Sequence, residues 1–134
     1  SYHLHVFGDD VTVDPETGQG LSFRKYSVYQ KWRNLKPGQS PKDNSYFNLI
    51  RVDPSQPAPT MAAMWGASIS LGAATHWSVP RRFTIAECRR LCGFPDDFVL
   101  TGNYAQRWER LGRAVPPVMM AAIAAPLADK LLGR

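Results

Sequence analysis

Val118, Met119, Met120, Ala121, Ala122, Ile123, Ala124 and Ala125 form an unbroken apolar run directly after Pro116-Pro117. Proline is tolerated in the first turn of a helix, so the pair predicts a helix opening there. A helix that is apolar all round has no face to offer water and is normally buried on several sides. A chain of 134 residues has little core in which to bury it. The run is therefore expected to pack against protein outside this chain. Pro126 is expected to kink or interrupt the helix before residues 127–132.

The clearest local signals lie upstream. Thr84-Ile85-Ala86-Glu87 reads as a capping box, in which hydroxyl and carboxylate each bond the other residue's amide. Phe83 and Cys88 stand at the staple positions. Gly93 suits a left-handed helix end, Phe94 can fold back on the last turn, and Pro95 forbids continuation. A short helix over residues 84–92 follows. Ser27 can cap another helix, whose apolar residues Val28, Trp32 and Leu35 are spaced four and three apart. Lys36-Pro37-Gly38 ends it, and residues 36–45 read as a polar loop. Residues 46–52 are aromatic and β-branched and predict a strand. Residues 53–59 hold three prolines and predict an extended connection. Residues 2–7 and 11–13 are strand candidates expected to form a small hairpin, and residues 14–20 carry turn chemistry.

Composition narrows the class. Hydrophobic residues make up 44% and charged residues 20%, as in ordinary globular chains. Two cysteines exclude a disulfide-dense scaffold. No apolar run reaches the ~18 residues of a membrane span, and the first residues have no signal-peptide pattern. The start at Ser1 rather than Met leads to the expectation that the chain begins inside a longer one. The net charge is +5, unevenly spread. Residues 23–51 hold seven cations against Asp43 alone, whereas residues 1–22 hold four acids and no base. A basic middle can meet phosphates; a solvated surface rich in Lys and Arg is the other reading.

Catalytic chemistry is not evident from residue spacing. Cys88 and Cys92 share a helix face, but no histidine stands at ligand spacing to them. They read as small buried hydrophobes. His76 beside Trp77 reads as a stacked or capping residue. Asp96 and Asp97 follow a helix exit, where acids are ordinary turn residues. No glycine-rich phosphate loop is found.

Arg81-Arg82-Phe83-Thr84-Ile85-Ala86-Glu87, followed by Arg90-Leu91-Cys92-Gly93-Phe94-Pro95-Asp96-Asp97-Phe98, resembles the ninth conserved block of the cytosine-5 DNA methyltransferases. Leu111-Gly112-Arg113-Ala114-Val115-Pro116-Pro117 resembles the tenth. Upstream, Arg51, Pro59-Thr60-Met61 and His76 resemble the end of that family's target recognition domain. The resemblance implies a two-lobed enzyme. One lobe holds S-adenosylmethionine and a Pro-Cys nucleophile that attacks carbon 6 of a flipped cytosine, and a small lobe reads DNA. Neither Cys88 nor Cys92 follows a proline, so no catalytic residue is assigned here. The Gly-rich cofactor block, the Pro-Cys loop and the Glu-Asn-Val block are likewise not found.

What the resemblance implies for this chain is a C-terminal DNA-recognition fragment of such an enzyme, inactive alone. The fold expected is α+β: a recognition region over residues 1–78 of short strands and loops, then blocks nine and ten with the C-terminal helix over residues 79–134. No complete Rossmann sheet is expected. DNA-binding positions carried over are Arg51, Thr60, Lys42, Asn44 and Arg81. In the family, the position of Arg81 organises the recognition domain more than it touches DNA. Base contacts are expected among Arg33, Lys36, Lys42, Asn44 and Asn48. Gly112, Arg113, Ala114 and Val115 match the cofactor side, with Arg113 where the family usually has Asn. Implied partners are double-stranded DNA and a catalytic domain, upstream or on a separate chain, with no membrane. The C-terminal helix is expected to be covered by that domain or by a dimer contact. The setting implied is the cytoplasm of a bacterial or phage-bearing cell. Competing readings are a non-enzymatic DNA-binding module, a separate recognition subunit of a split enzyme, and an interaction domain whose apolar helix binds a partner.

Overall fold

The computed structural model describes residues 11–23, 25–40, 49–63 and 74–133. Among them lie six elements: α1 (Tyr26–Asn34), β1 (Ile50–Arg51), β2 (Ala74–Thr75), α2 (Ile85–Leu91), α3 (Tyr104–Arg113) and α4 (Pro117–Leu132). β1 and β2 pair in parallel, Ile50 opposite Ala74 and Arg51 opposite Thr75. The protein is α+β with a two-stranded sheet and no full Rossmann sheet among the described residues.

The turn chemistry at residues 14–20 folds back locally. Val13 bridges Gly20 antiparallel, and the Leu21 amide donates to the Thr12 carbonyl at 2.9 Å. Val13, in the stretch expected to be a strand, thus pairs forward through an isolated bridge. The expected partner, residues 2–7, lies outside the described residues, as do residues 46–48 of the strand expected at 46–52. Ser22 bridges Arg81, and Arg82 bridges Thr75, so the N-terminal hairpin and the sheet are tied through the segment before α2.

α2 forms as its signals require. The Glu87 amide donates to Thr84 Oγ1 at 3.1 Å and the Thr84 amide to Glu87 Oε2 at 3.0 Å. Gly93 has φ +75°, and the Phe94 amide reaches back to the Arg89 carbonyl at 3.0 Å. Asp14 adds a partner from 71 residues away: its Oδ1 accepts from the Ile85 amide at 3.0 Å. α1 begins two residues earlier than Ser27 implied, at an N-cap Lys25 with no side-chain cap bond. Ser27 sits inside the first turn.

α3 was not expected. It too has a capping box, with the Gln106 amide on Asn103 Oδ1 and the Asn103 amide on Gln106 Oε1, both 2.9 Å. One core joins residues from both sides of position 79: Leu21, Val52, Met61 and Ala74 pack with Phe83, Ile85, Cys88, Tyr104, Trp108 and Leu111.

α4 continues through Pro126 as one helix of 16 residues with no buried residue. Proline forfeits one backbone bond and crowds the preceding turn; on an exposed helix the orphaned carbonyl is left to water. Val118 is 66% exposed, Ile123 52% and Leu131 78%. The stretch Tyr104–Leu132 is long and apolar enough to cross a membrane by length and composition, but residues 114–116 break it. α4 alone falls short of the ~20 residues a span needs.

Candidate functional site

The segment before α2 carries a buried ion pair to that helix. Arg81 and Glu87 side chains are each 1% exposed and meet at 2.8 and 3.1 Å. Arg81 also donates to the Arg82 carbonyl at 3.0 Å. Glu87 thus neutralises Arg81 while completing the cap of α2. The Arg82 guanidinium lies 4.7 Å from the Tyr104 ring centre. Beside them, Glu16 forks onto Arg89 at 2.9 and 3.1 Å and reaches Arg107 at 3.2 Å. The Arg89 bond and the nearby positive charge hold the Glu16 carboxyl below its ordinary value of 4.5 despite partial burial. The acidic turn at residues 14–16 is therefore bolted to α2 and α3.

A second junction surrounds Arg51. Its Nε donates to the Trp77 carbonyl and its Nη1 to the Leu35 carbonyl, both at 2.7 Å. The guanidinium lies 4.0 Å from the centre of the Trp32 ring. Trp32 Nε1 donates to the His76 carbonyl at 3.1 Å, and the His76 ring stacks on Trp77 at 4.0 Å. Arg51 therefore fastens the C-terminal end of α1 to the loop before α2.

The third junction joins residues 60–63 to α3. Trp108 Nε1 donates to the Ala62 carbonyl at 3.0 Å. A β-carbon at Gly112 would stand 2.7 Å from Ala63 Cα, 2.8 Å from its nitrogen and 3.0 Å from the Met61 carbonyl. Only glycine lets the two backbones approach this closely.

A groove of about 690 Å³ opens beside this contact. Its walls come from the proline-rich loop at residues 52–61, from Cys92 and Gly93, and from Gly112, Ala114, Val118 and Met119. Exposed Thr60 stands on its rim. The groove thus brings together a position predicted on the DNA side and two predicted on the cofactor side. Arg113 is not on its wall; it is exposed and pairs with Glu109 at 2.7 Å. Val115 is half exposed. Arg90 also lines the groove. The small side chains of Gly112 and Ala114 fit one edge of a pocket for S-adenosylmethionine.

Both cysteines are free. Burial pushes the Cys88 thiol well up and the Cys92 thiol up, so neither is the thiolate that nucleophilic attack requires. No group of His, Cys, Asp and Glu suited to a metal is present among the described residues.

The family model for the C-5 cytosine-specific DNA methylase matches residues 12–128. The chain belongs to that family. Type II methyltransferase M.DsaV of Dactylococcopsis salina is 44% identical over 107 residues, covering 75% of this chain and 30% of the relative. Type II methyltransferase M.SacI of Streptomyces achromogenes is 29% identical over 92 residues, 62% of this chain and 23% of the relative. DNA (cytosine-5)-methyltransferase 1B of Oryza sativa subsp. japonica is 29% identical over 94 residues, 69% of this chain and 6% of the relative. The chain spans less than a third of each of these proteins. No solved structure matches it significantly.

Within this family member, the structure sorts the sequence-derived positions by exposure. Thr60 is at the surface. Arg51 and Arg81 are engaged inside, Arg81 almost completely buried. Lys42, Asn44 and Asn48 lie outside the described residues. Three organising features are not marked by spacing or periodicity: Glu16, Trp108 and the packing role of Gly112. The Asn103-x-x-Gln106 spacing was the available signal for the helix that carries the last two.

Proposed function

We propose that this chain is the C-terminal recognition part of an enzyme that transfers a methyl group from S-adenosylmethionine to carbon 5 of cytosine in duplex DNA. The observation that supports this reading is the contact of Gly112 with Ala63. It places the Thr60 segment, matched to the DNA side, directly against the tenth block, matched to the cofactor side. Residues 1–78 are the recognition region and residues 79–134 carry the two blocks and the docking helix.

In this reading Thr60, Lys42 and Asn44 face DNA, while Arg51 and Arg81 act from within. Arg51 fixes α1 and Arg81 fixes the start of α2. Residues 112–115 form one edge of the cofactor pocket, and the bound cofactor supplies the methyl group. The nucleophile belongs to a catalytic domain, which the exposed face of α4 and the apolar groove would receive. Alone, the chain has no thiolate and is inactive. The cellular setting is the cytoplasm, where type II relatives would meet DNA.

A region exchange tests the recognition role. Residues 1–78 in the full-length protein are replaced by the equivalent stretch of a family member that methylates a different target, and the methylated sequence is read by bisulfite sequencing. The expected result is a changed target sequence. An unchanged target contradicts the role.

A further inference from the structure

α1 has two unlike sides. The inner side is Trp32, 5% exposed, clamped between the His76 carbonyl and the Arg51 guanidinium. Arg51 also holds the C-cap carbonyl of Leu35. These anchors fix both the axis of the helix and its rotation. On the outer side, Tyr26, Gln30 and Asn34 follow one another at intervals of four, which places them on a single ridge. Tyr26 is 74% exposed and accepts a hydrogen bond from Gln30 Nε2. Lys31 and Arg33 flank the ridge, with Lys25 at the N-cap and Lys36 just past the C-cap. All four cations are exposed. Residues 25–40 contain no acid, and none of the four cations forms an ion pair among the described residues.

We infer that α1 is the helix that enters the DNA major groove, with Asn34 and Gln30 facing base edges and Lys31, Arg33 and Lys36 meeting phosphates. The inference rests on the reading of this chain as a recognition region and deepens it by naming the element that reads. A helix with its side chains is about 10–12 Å across, and the major groove is about 12 Å wide. Amide side chains both donate and accept, which suits the paired donor and acceptor of adenine. A merely solvated helix face commonly mixes charge signs in pairs four residues apart; this face carries cations alone. Base reading needs side chains held in register by packed support, which Trp32 and Arg51 supply. An anionic lipid surface would attract the same cations but calls for apolar side chains on the exposed face, where this ridge has Tyr, Gln and Asn.

The test uses the full-length protein as wild type, as Asn34→Ala, and as the double variant Lys31→Ala/Arg33→Ala. All three positions are exposed, so folding is not at issue. The readouts are bisulfite sequencing of a randomised duplex library, KM for duplex as a function of salt, and binding to phosphatidylserine vesicles. Asn34→Ala is expected to lose roughly ten- to hundredfold discrimination at one position of the target. The double variant is expected to raise KM alike for all sequences and to lower the log–log salt slope by about 2. Variants that keep target, KM and salt slope overturn the inference. So does loss of binding to phosphatidylserine vesicles with DNA binding intact. A wild type that methylates no cytosine in the library contradicts the underlying reading, and the inference with it.

Discussion

Gly112 of α3 lies with its Cα against the backbone of Ala63, so close that a β-carbon would stand 2.7 Å from Ala63 Cα. The same helix holds the neighbouring Ala62 carbonyl through Trp108. The path of the backbone just after the exposed Thr60 therefore depends on Gly112. Gly112→Ala is expected to push residues 61–63 off α3 at a cost of about 1–3 kcal/mol, the range for overpacking. Thermal unfolding of the full-length variant measures it. An unshifted Tm contradicts the close contact.

Glu87 carries two duties, the cap of α2 and the neutralisation of buried Arg81. Glu87→Gln keeps an oxygen for the cap and removes the charge. A buried guanidinium left without its carboxylate costs about 3–5 kcal/mol. Denaturant unfolding is expected to show a loss of that order, far larger than for Asp96→Asn at the exposed Arg90–Asp96 pair, where surface ion pairs contribute little.

Glu16 makes stability depend on acid. Its carboxyl is held below 4.5, mainly by Arg89, so the folded state favours the ionised form. That contribution is fully present above the ordinary value, shrinks as pH falls below it, and is gone once pH lies below the lowered value. The stability advantage of wild type over Glu16→Gln is expected to hold at pH 7 and to narrow below about pH 4.5. An advantage that is independent of pH contradicts the Glu16–Arg89–Arg107 arrangement.

Cys88 and Cys92 are expected to react slowly with a thiol reagent in the native protein, because burial keeps both protonated. Cys92→Ser in the full-length protein is expected to retain methyl transfer with kcat within about twofold. A loss of activity on the order of a thousandfold would make Cys92 a nucleophile and contradict the assignment of catalysis to another domain.

How much the residues disclosed in advance depended on how local the cause was. Thr84, Glu87 and Gly93 mark α2 because a capping box and a left-handed helix end are set by neighbours within a turn. The helix after Pro117 is legible for the same reason, and it is exposed along its length. Pro126 misled, since an exposed helix can leave its broken backbone bond to water. Asp14 and Glu16 were read only as turn acids; their partners Ile85, Arg89 and Arg107 are some 70 to 90 residues away, beyond any periodicity. Arg51 and Arg81 were legible as special positions, but their inward placement follows from Trp32 and Glu87 packing, which spacing alone does not encode. Helix α3 has only a local signal, its Asn103–Gln106 cap, because its residues 104–113 are polar and aromatic.

The most direct measurement is methyl transfer by the full-length protein. It is incubated with duplex DNA and S-adenosylmethionine carrying a labelled methyl group, and the modified base is identified by mass spectrometry of the nucleosides. Label in 5-methylcytosine, confined to one sequence context, is the expected result. Label in an exocyclic amino group, or none in DNA, would contradict the proposed activity.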